Sequence, residues 1–137
     1  RLLDMGVESY LIASTVKGIL AQRLVRRLDP QTRIAFEAPP QMIAEHGLEQ
    51  FTEQRPILLY RADTTAIGGG YHGRSAITEL LVMNEELRSL LMRQADAATL
   101  EQAARRGGLR TLYEEGLRQA VAGITSLDEV LRVTRGD

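Results

Sequence analysis

The residues able to do chemistry in this sequence are few, and their spacing argues against most reactions. Lys17 is followed by Gly18 rather than by Ser or Thr, and no glycine-rich loop precedes it, so it lacks the arrangement that cradles phosphate. Gly68-Gly69-Gly70 is a flexible turn with no lysine after it to reach a phosphate. His46 and His72 stand at no motif spacing from a Ser or Cys nucleophile, and both read as surface residues. Glu85-Glu86 and Glu114-Glu115 fall on helix faces expected to be solvated, and neither reads as an acid–base pair. The chain has no cysteine, which excludes a disulfide framework and any thiolate metal site. No catalytic residue follows from these patterns.

The elements that carry these residues can be read from periodicity and punctuation. Residues 7 to 28 read as one helix, because Leu11, Ile12, Thr15, Val16, Ile19, Leu20, Leu24 and Leu28 recur at three- and four-residue spacing. Asp29-Pro30 stops it, since a residue before proline avoids the helical region. Its other face carries Lys17, Arg23, Arg26 and Arg27, which would complement the dipole at the helix end. Between 29 and 70, Arg33–Glu37 and Arg55–Arg61 read as short strands, Gln41–Gly47 as a short helix and Ala62–Gly70 as a loop. This segment has little apolar material and is expected to be the most mobile, above all over 38–69. Ser75–Val82 has strand character. After it come four helices: one capped by Asn84, one starting at Asp96 or Thr99, one over Thr111–Ala122, and one capped by Ser126 with Asp128 and Glu129 in its first turn. The fold class is mainly α with a small β component, α+β, in three segments: 1–28, 29–70 and 71–137. Residues 71–137 are expected to form the stable helical lobe.

Composition narrows the class of partner. The chain has 137 residues, enough for one domain or two small lobes. A net charge of −1 provides no global attraction to nucleic acid or anionic lipid. With 4% aromatic residues and no Trp, a base-stacking platform is excluded. Lys17 is the only lysine, so Arg carries the positive charge; its fork favours carboxylates and phosphates, and a codon bias explains the preference equally well. No apolar run approaches the roughly 18 residues of a membrane span. The opening Arg1-Leu2-Leu3-Asp4-Met5-Gly6 reads as mid-domain sequence, as expected of a piece of a longer protein.

Four ordered stretches, taken together, resemble one family. They are Gly18–Leu28, Gly70–Leu81 with its Gly-Tyr-x-Gly-Arg start, Gly108–Leu117, and Ala122–Thr134. The likeness is to the C-terminal third of the secretion and pilus-assembly ATPases, the motors of type II secretion and type IV pili. It covers residues 1 to 28 and 70 to 134, and residues 29 to 69 depart from it. In the family a four-cysteine zinc module stands between the first two stretches. The matching positions here are Asp29, Thr32, Asp63 and Ala66, which cannot supply the closed tetrahedron that zinc needs, so no metal is expected.

The resemblance implies the rest. Residues 1–28 would end a RecA-like ATPase core, 29–70 would be the zinc module's degenerate equivalent, and 71–137 the C-terminal helical lobe. ATP with Mg would bind the full-length protein, and no cofactor would bind this piece alone. The motor would be a hexamer, cytoplasmic and peripheral at a bacterial inner membrane. It would act on a membrane platform protein, with no nucleic acid and no membrane insertion. Arg74 would lie close to bound nucleotide, with Arg23 the second candidate. Each has an alternative: a salt bridge from Arg74 to Glu79, and neutralisation of a helix end by Arg23. The rival from another class is a stand-alone helical adaptor that binds a partner through an amphipathic groove.

Overall fold

The computed structural model describes residues 2–135; Arg1, Gly136 and Asp137, which fall in the first and last segments of the sequence reading, lie outside the described residues. The first helix, α1 (Ser9–Thr15), ends where the periodicity predicts it to continue: Val16 is already extended, and Gly18–Leu28 is a strand, β1. The single helix over 7–28 is therefore incorrect. The physical reason is tertiary: β1 pairs with β4 (Tyr71–Val82), and this ladder satisfies the backbone that a helix would otherwise have to satisfy. The pair runs antiparallel, since Lys17 O accepts from Met83 N–H at one end and Gly70 O from Asp29 N–H at the other. A Cβ on Gly18 would lie 3.0 Å from Leu81 O, so the closeness of the two backbones favours glycine there.

The chain divides into two compact units, with two of the three boundaries inside these strands and the third between Arg110 and Thr111. The first holds residues up to Ala21 together with Glu79–Arg110. In it α1 packs on α3 (Glu85–Met92), where Arg88 Nε donates to Ala13 O at 3.2 Å. α3 packs in turn on α4 (Ala97–Arg106). Buried Leu87, Ala103 and Ala104 form its core, with Leu81, Met83, Leu90, Leu100 and Leu109 around them.

The second unit holds Gln22–Thr78 and the residues from Thr111 onward. Here β2 (Ile34–Glu37) pairs antiparallel with β3 (Leu58–Arg61), Phe36 opposite Leu59. The helices α2 (Pro40–His46), α5 (Leu112–Val121) and α6 (Leu127–Thr134) complete it. Ala38, Leu48, Ile57 and Leu59 are buried in one cluster with Leu117, Ala120, Leu127 and Val130. The few apolar residues expected to anchor 38–69 thus include Ala38, Leu48, Ile57 and Leu59, all buried in this cluster. The expectation that His46 is a surface residue is corrected. It is buried, and its Nδ1 is hydrogen-bonded to the Tyr113 hydroxyl.

The caps read at Asn84 and Ser126 are made, and Asp96 and Thr111 cap the two helices between them. Asn84, Asp96, Thr111 and Ser126 accept from the N–H groups of Leu87, Thr99, Glu114 and Glu129. Each is worth about 1 kcal/mol.

Candidate functional site

The Gly-Tyr-x-Gly-Arg stretch opens β4 in the second unit. Tyr71 is partly buried, His72, Gly73 and Arg74 are exposed, and Ile77 is fully buried. The three exposed residues are thus the stretch of β4 between partly buried Tyr71 and buried Ile77, on a strand paired with β1. Gly73 has φ +76°, inside a strand, where a residue with a Cβ would be strained. Nothing lies within 4 Å of where its Cβ would be, so backbone conformation, and no neighbour, requires glycine there. The Arg74 guanidinium makes no hydrogen bond or ion pair among the described residues. It is a cation held out on a strand, with its five donors available to an anion. The pairing of Arg74 with Glu79 is not found. Arg23 lies exposed on β1, the partner strand of β4, and the account of it as a neutraliser of a helix end fails because no helix ends there.

Against Tyr71, at the start of the same strand, lies an ionic knot around a buried carboxylate whose two arginines are half-exposed. Glu129, on the first turn of α6, is 1% exposed. Its Oε2 accepts from Arg26 N–H at 2.8 Å and from Arg132 Nη2 at 3.0 Å. Its Oε1 accepts from Arg26 Nε at 3.1 Å, Arg26 Nη2 at 2.9 Å and Arg132 Nε at 2.8 Å. Burial alone would raise the carboxyl pKa, but the bonds from Arg132 and Arg26 outweigh it and lower the pKa to about 2. Both arginines are pushed up, chiefly by their hydrogen bonds to Glu129. The Arg26 guanidinium also lies 4.2 Å over the Tyr71 ring, and the Tyr71 hydroxyl is bonded to Ser126 Oγ at 2.7 Å. Thr125 Oγ1 donates to Arg26 O at 2.7 Å.

The positions matched to zinc ligands form two small turns. Asp29 Oδ1 accepts from Gln31 N–H, and Asp29 O from the N–H groups of Thr32 and Arg33. Asp63 Oδ1 accepts from both Thr65 N–H and Thr65 Oγ1, and Asp63 O from Ala66 N–H. These residues do not fit a metal: the aspartates serve their own turns, Thr32 Oγ1 is buried without a partner, and Ala66 has no donor atom. Among the described residues no group of three or more His, Cys, Asp and Glu is placed to hold an ion. In the first unit, an apolar cleft of about 480 Å³ is lined by residues such as Leu2, Ile12, Leu81 and Leu100. Its charged lining is Glu79 and Glu101, which repel a phosphate.

The sequence reading missed the knot. Glu129 looked like a first-turn acid complementing a helix dipole, and Arg26 like a helix-end cation. The i,i+3 spacing of Glu129 and Arg132 was the available signal. Arg26, 103 residues away, was not.

The family described as Type II/IV secretion system protein matches residues 1–132. The chain is 51% identical over 135 residues to the Type II secretion system protein E of Xanthomonas campestris pv. campestris, covering 98% of this chain and 24% of that protein. It is 39% identical to the Type IV pilus assembly ATPase PilB of Thermus thermophilus, covering 98% and 15% respectively. It is 38% identical to the Type II secretion system ATPase E of Vibrio cholerae, covering 98% and 26%. The chain thus spans about a quarter or less of the length of these relatives.

Proposed function

The chain belongs to the Type II/IV secretion system protein family, and from that premise we propose that it is part of a longer ATPase that powers protein secretion. The observation that carries this reading is the match along residues 1–132, together with relatives named as secretion or pilus-assembly ATPases. Type II secretion is favoured over pilus assembly by the 51% identity to a secretion protein against 39% to a pilus ATPase. In this reading the full-length protein is a hexamer that binds ATP with Mg and hydrolyses it through a phosphate loop and acids located outside this chain. It works at the cytoplasmic face of the inner membrane on a platform protein. No helix among the described residues is long and apolar enough to cross a membrane.

The contribution of this chain is positional and electrostatic. Arg74, exposed beside Gly73 and without a partner among the described residues, is the group this reading assigns to a nucleotide phosphate. A guanidinium fork takes two phosphate oxygens at once, and such charge-assisted bonds are the strong ones. Arg23 is the second cation proposed for the nucleotide. Any charge it provides adds to the field at the phosphates, whether or not it makes contact.

The test is turnover. The full-length protein should release phosphate from Mg-ATP, while residues 1–137 alone should release it at the rate of buffer. Turnover by residues 1–137 that is abolished by substituting a residue within them would contradict the assignment.

A further inference from the structure

His72, Gly73 and Arg74 lie on β4 between two held points. The far end is fixed by burial: Ile77 is fully buried, and Ala76 O accepts from Gln119 Nε2 at 2.9 Å. The near end is Tyr71, which is held twice. Its ring lies under the Arg26 guanidinium, and its hydroxyl is bonded to Ser126 Oγ. Both holds lead to one residue. Glu129 fixes the Arg26 guanidinium through two side-chain bonds and the Arg26 backbone through a third. Ser126 Oγ accepts from Glu129 N–H at 3.2 Å.

We propose that Glu129 is a positioning residue for Arg74, acting through Arg26 and Tyr71; this rests on the reading of Arg74 given above. Two observations favour it over simple attachment of α6 to β1. A well-packed apolar residue generally stabilises such a buried place as well as an ion pair does, so a fully buried carboxylate needs a reason other than stability. Three of the five donors to Glu129 also come from Arg26, the arginine that covers Tyr71, three residues before Arg74. Gly73 makes the connection sensitive: its φ of +76° interrupts regular strand geometry between Tyr71 and Arg74, so the direction of Arg74 depends on how Tyr71 is held. A bidentate contact to phosphate depends steeply on that direction, because misplacement by about 1 Å costs rate on the order of a hundredfold.

The experiment is a double-mutant cycle on ATP turnover in the full-length protein, with wild type, Glu129→Gln, Arg74→Ala and the double variant. Melting temperature and ring assembly are recorded for each. The expected result is a loss on the order of tenfold from Glu129→Gln in the wild-type background and no further loss in the Arg74→Ala background. A merely structural role lowers the fraction of competent enzyme, which multiplies turnover by the same factor in both backgrounds. Equal losses in the two backgrounds, or wild-type turnover in Glu129→Gln, would overturn the positioning role. Wild-type turnover in Arg74→Ala would instead overturn the reading of Arg74 itself. If Glu129→Gln does not assemble, Tyr71→Leu takes its place in the cycle with the same expected and contradicting outcomes.

Discussion

At Glu129, burial removes the hydration that an exposed carboxylate keeps, and five N–H donors from two arginines replace it. The outcome is a folded pKa of about 2 against an ordinary 4.5. A carboxyl depressed in the folded state stabilises the fold fully above its unfolded pKa, and that contribution is lost as pH falls through the folded value. The window is therefore about pH 4.5 down to pH 2, and the contribution at stake is about 3 kcal/mol. Urea unfolding at pH 6 and pH 3 should show wild type losing more stability on acidification than Glu129→Gln, by about 2 kcal/mol. Equal losses in the two proteins would remove Glu129 as a source of the pH dependence. Asp63 and Asp96 are lowered too, by their bonds from Thr65 and Thr99, so both proteins share that background. This residue also marks a limit of sequence reading. The Ser126 cap and the Glu129–Arg132 spacing are local and visible, whereas the approach of Arg26 exists only once β1 is folded.

At the scale of elements, what was legible was whatever local chemistry decides. Asn84, Asp96, Thr111 and Ser126 each announce a helix, because their side chains satisfy N–H groups within three residues. The strand β1 was not legible. Its leucines fall at helical spacing, and its pairing with β4 is a contact more than forty residues away in sequence. The same holds for the segment between 38 and 69, where isolated Leu48, Ile57 and Leu59 gain their importance from β2–β3 pairing and from α5 and α6. The α5–α6 junction shows how tight that packing is. A Cβ on Gly116 would stand 2.6 Å from Val130 Cγ1, and Val130 is itself fully buried and unable to retreat. Gly116→Ala should therefore destabilise by about 1–3 kcal/mol, despite the better helix propensity of alanine. An unchanged or raised denaturation midpoint would mean that the two helices are free to separate.

At the scale of the whole molecule, the two units differ in how much core holds them. The second buries eight residues in one cluster, among them Leu48, Leu59 and Leu117; the core cluster of the first has three, two of which are alanines. Opening free energy follows buried apolar contact. Backbone amides of β3, α5 and α6 should therefore exchange more slowly with deuterium than those of α3 and α4. Faster exchange in β3 and α5 than in α4 would contradict this ordering. This ordering differs from a mobile middle followed by a stable helical end, and the exchange rates decide between the two.

The central claim is that Arg74 is available to a nucleotide and is not required by the fold, and one paired measurement on the full-length protein tests it. Arg74 is exposed and without an internal partner among the described residues, so Arg74→Ala should leave the melting temperature within about 2 °C of wild type, as for surface substitutions generally. The lost charge-assisted contact to phosphate is worth about 1.5–3 kcal/mol, so ATP turnover should fall roughly ten- to hundredfold. Wild-type turnover in a correctly assembled Arg74→Ala protein would contradict the account.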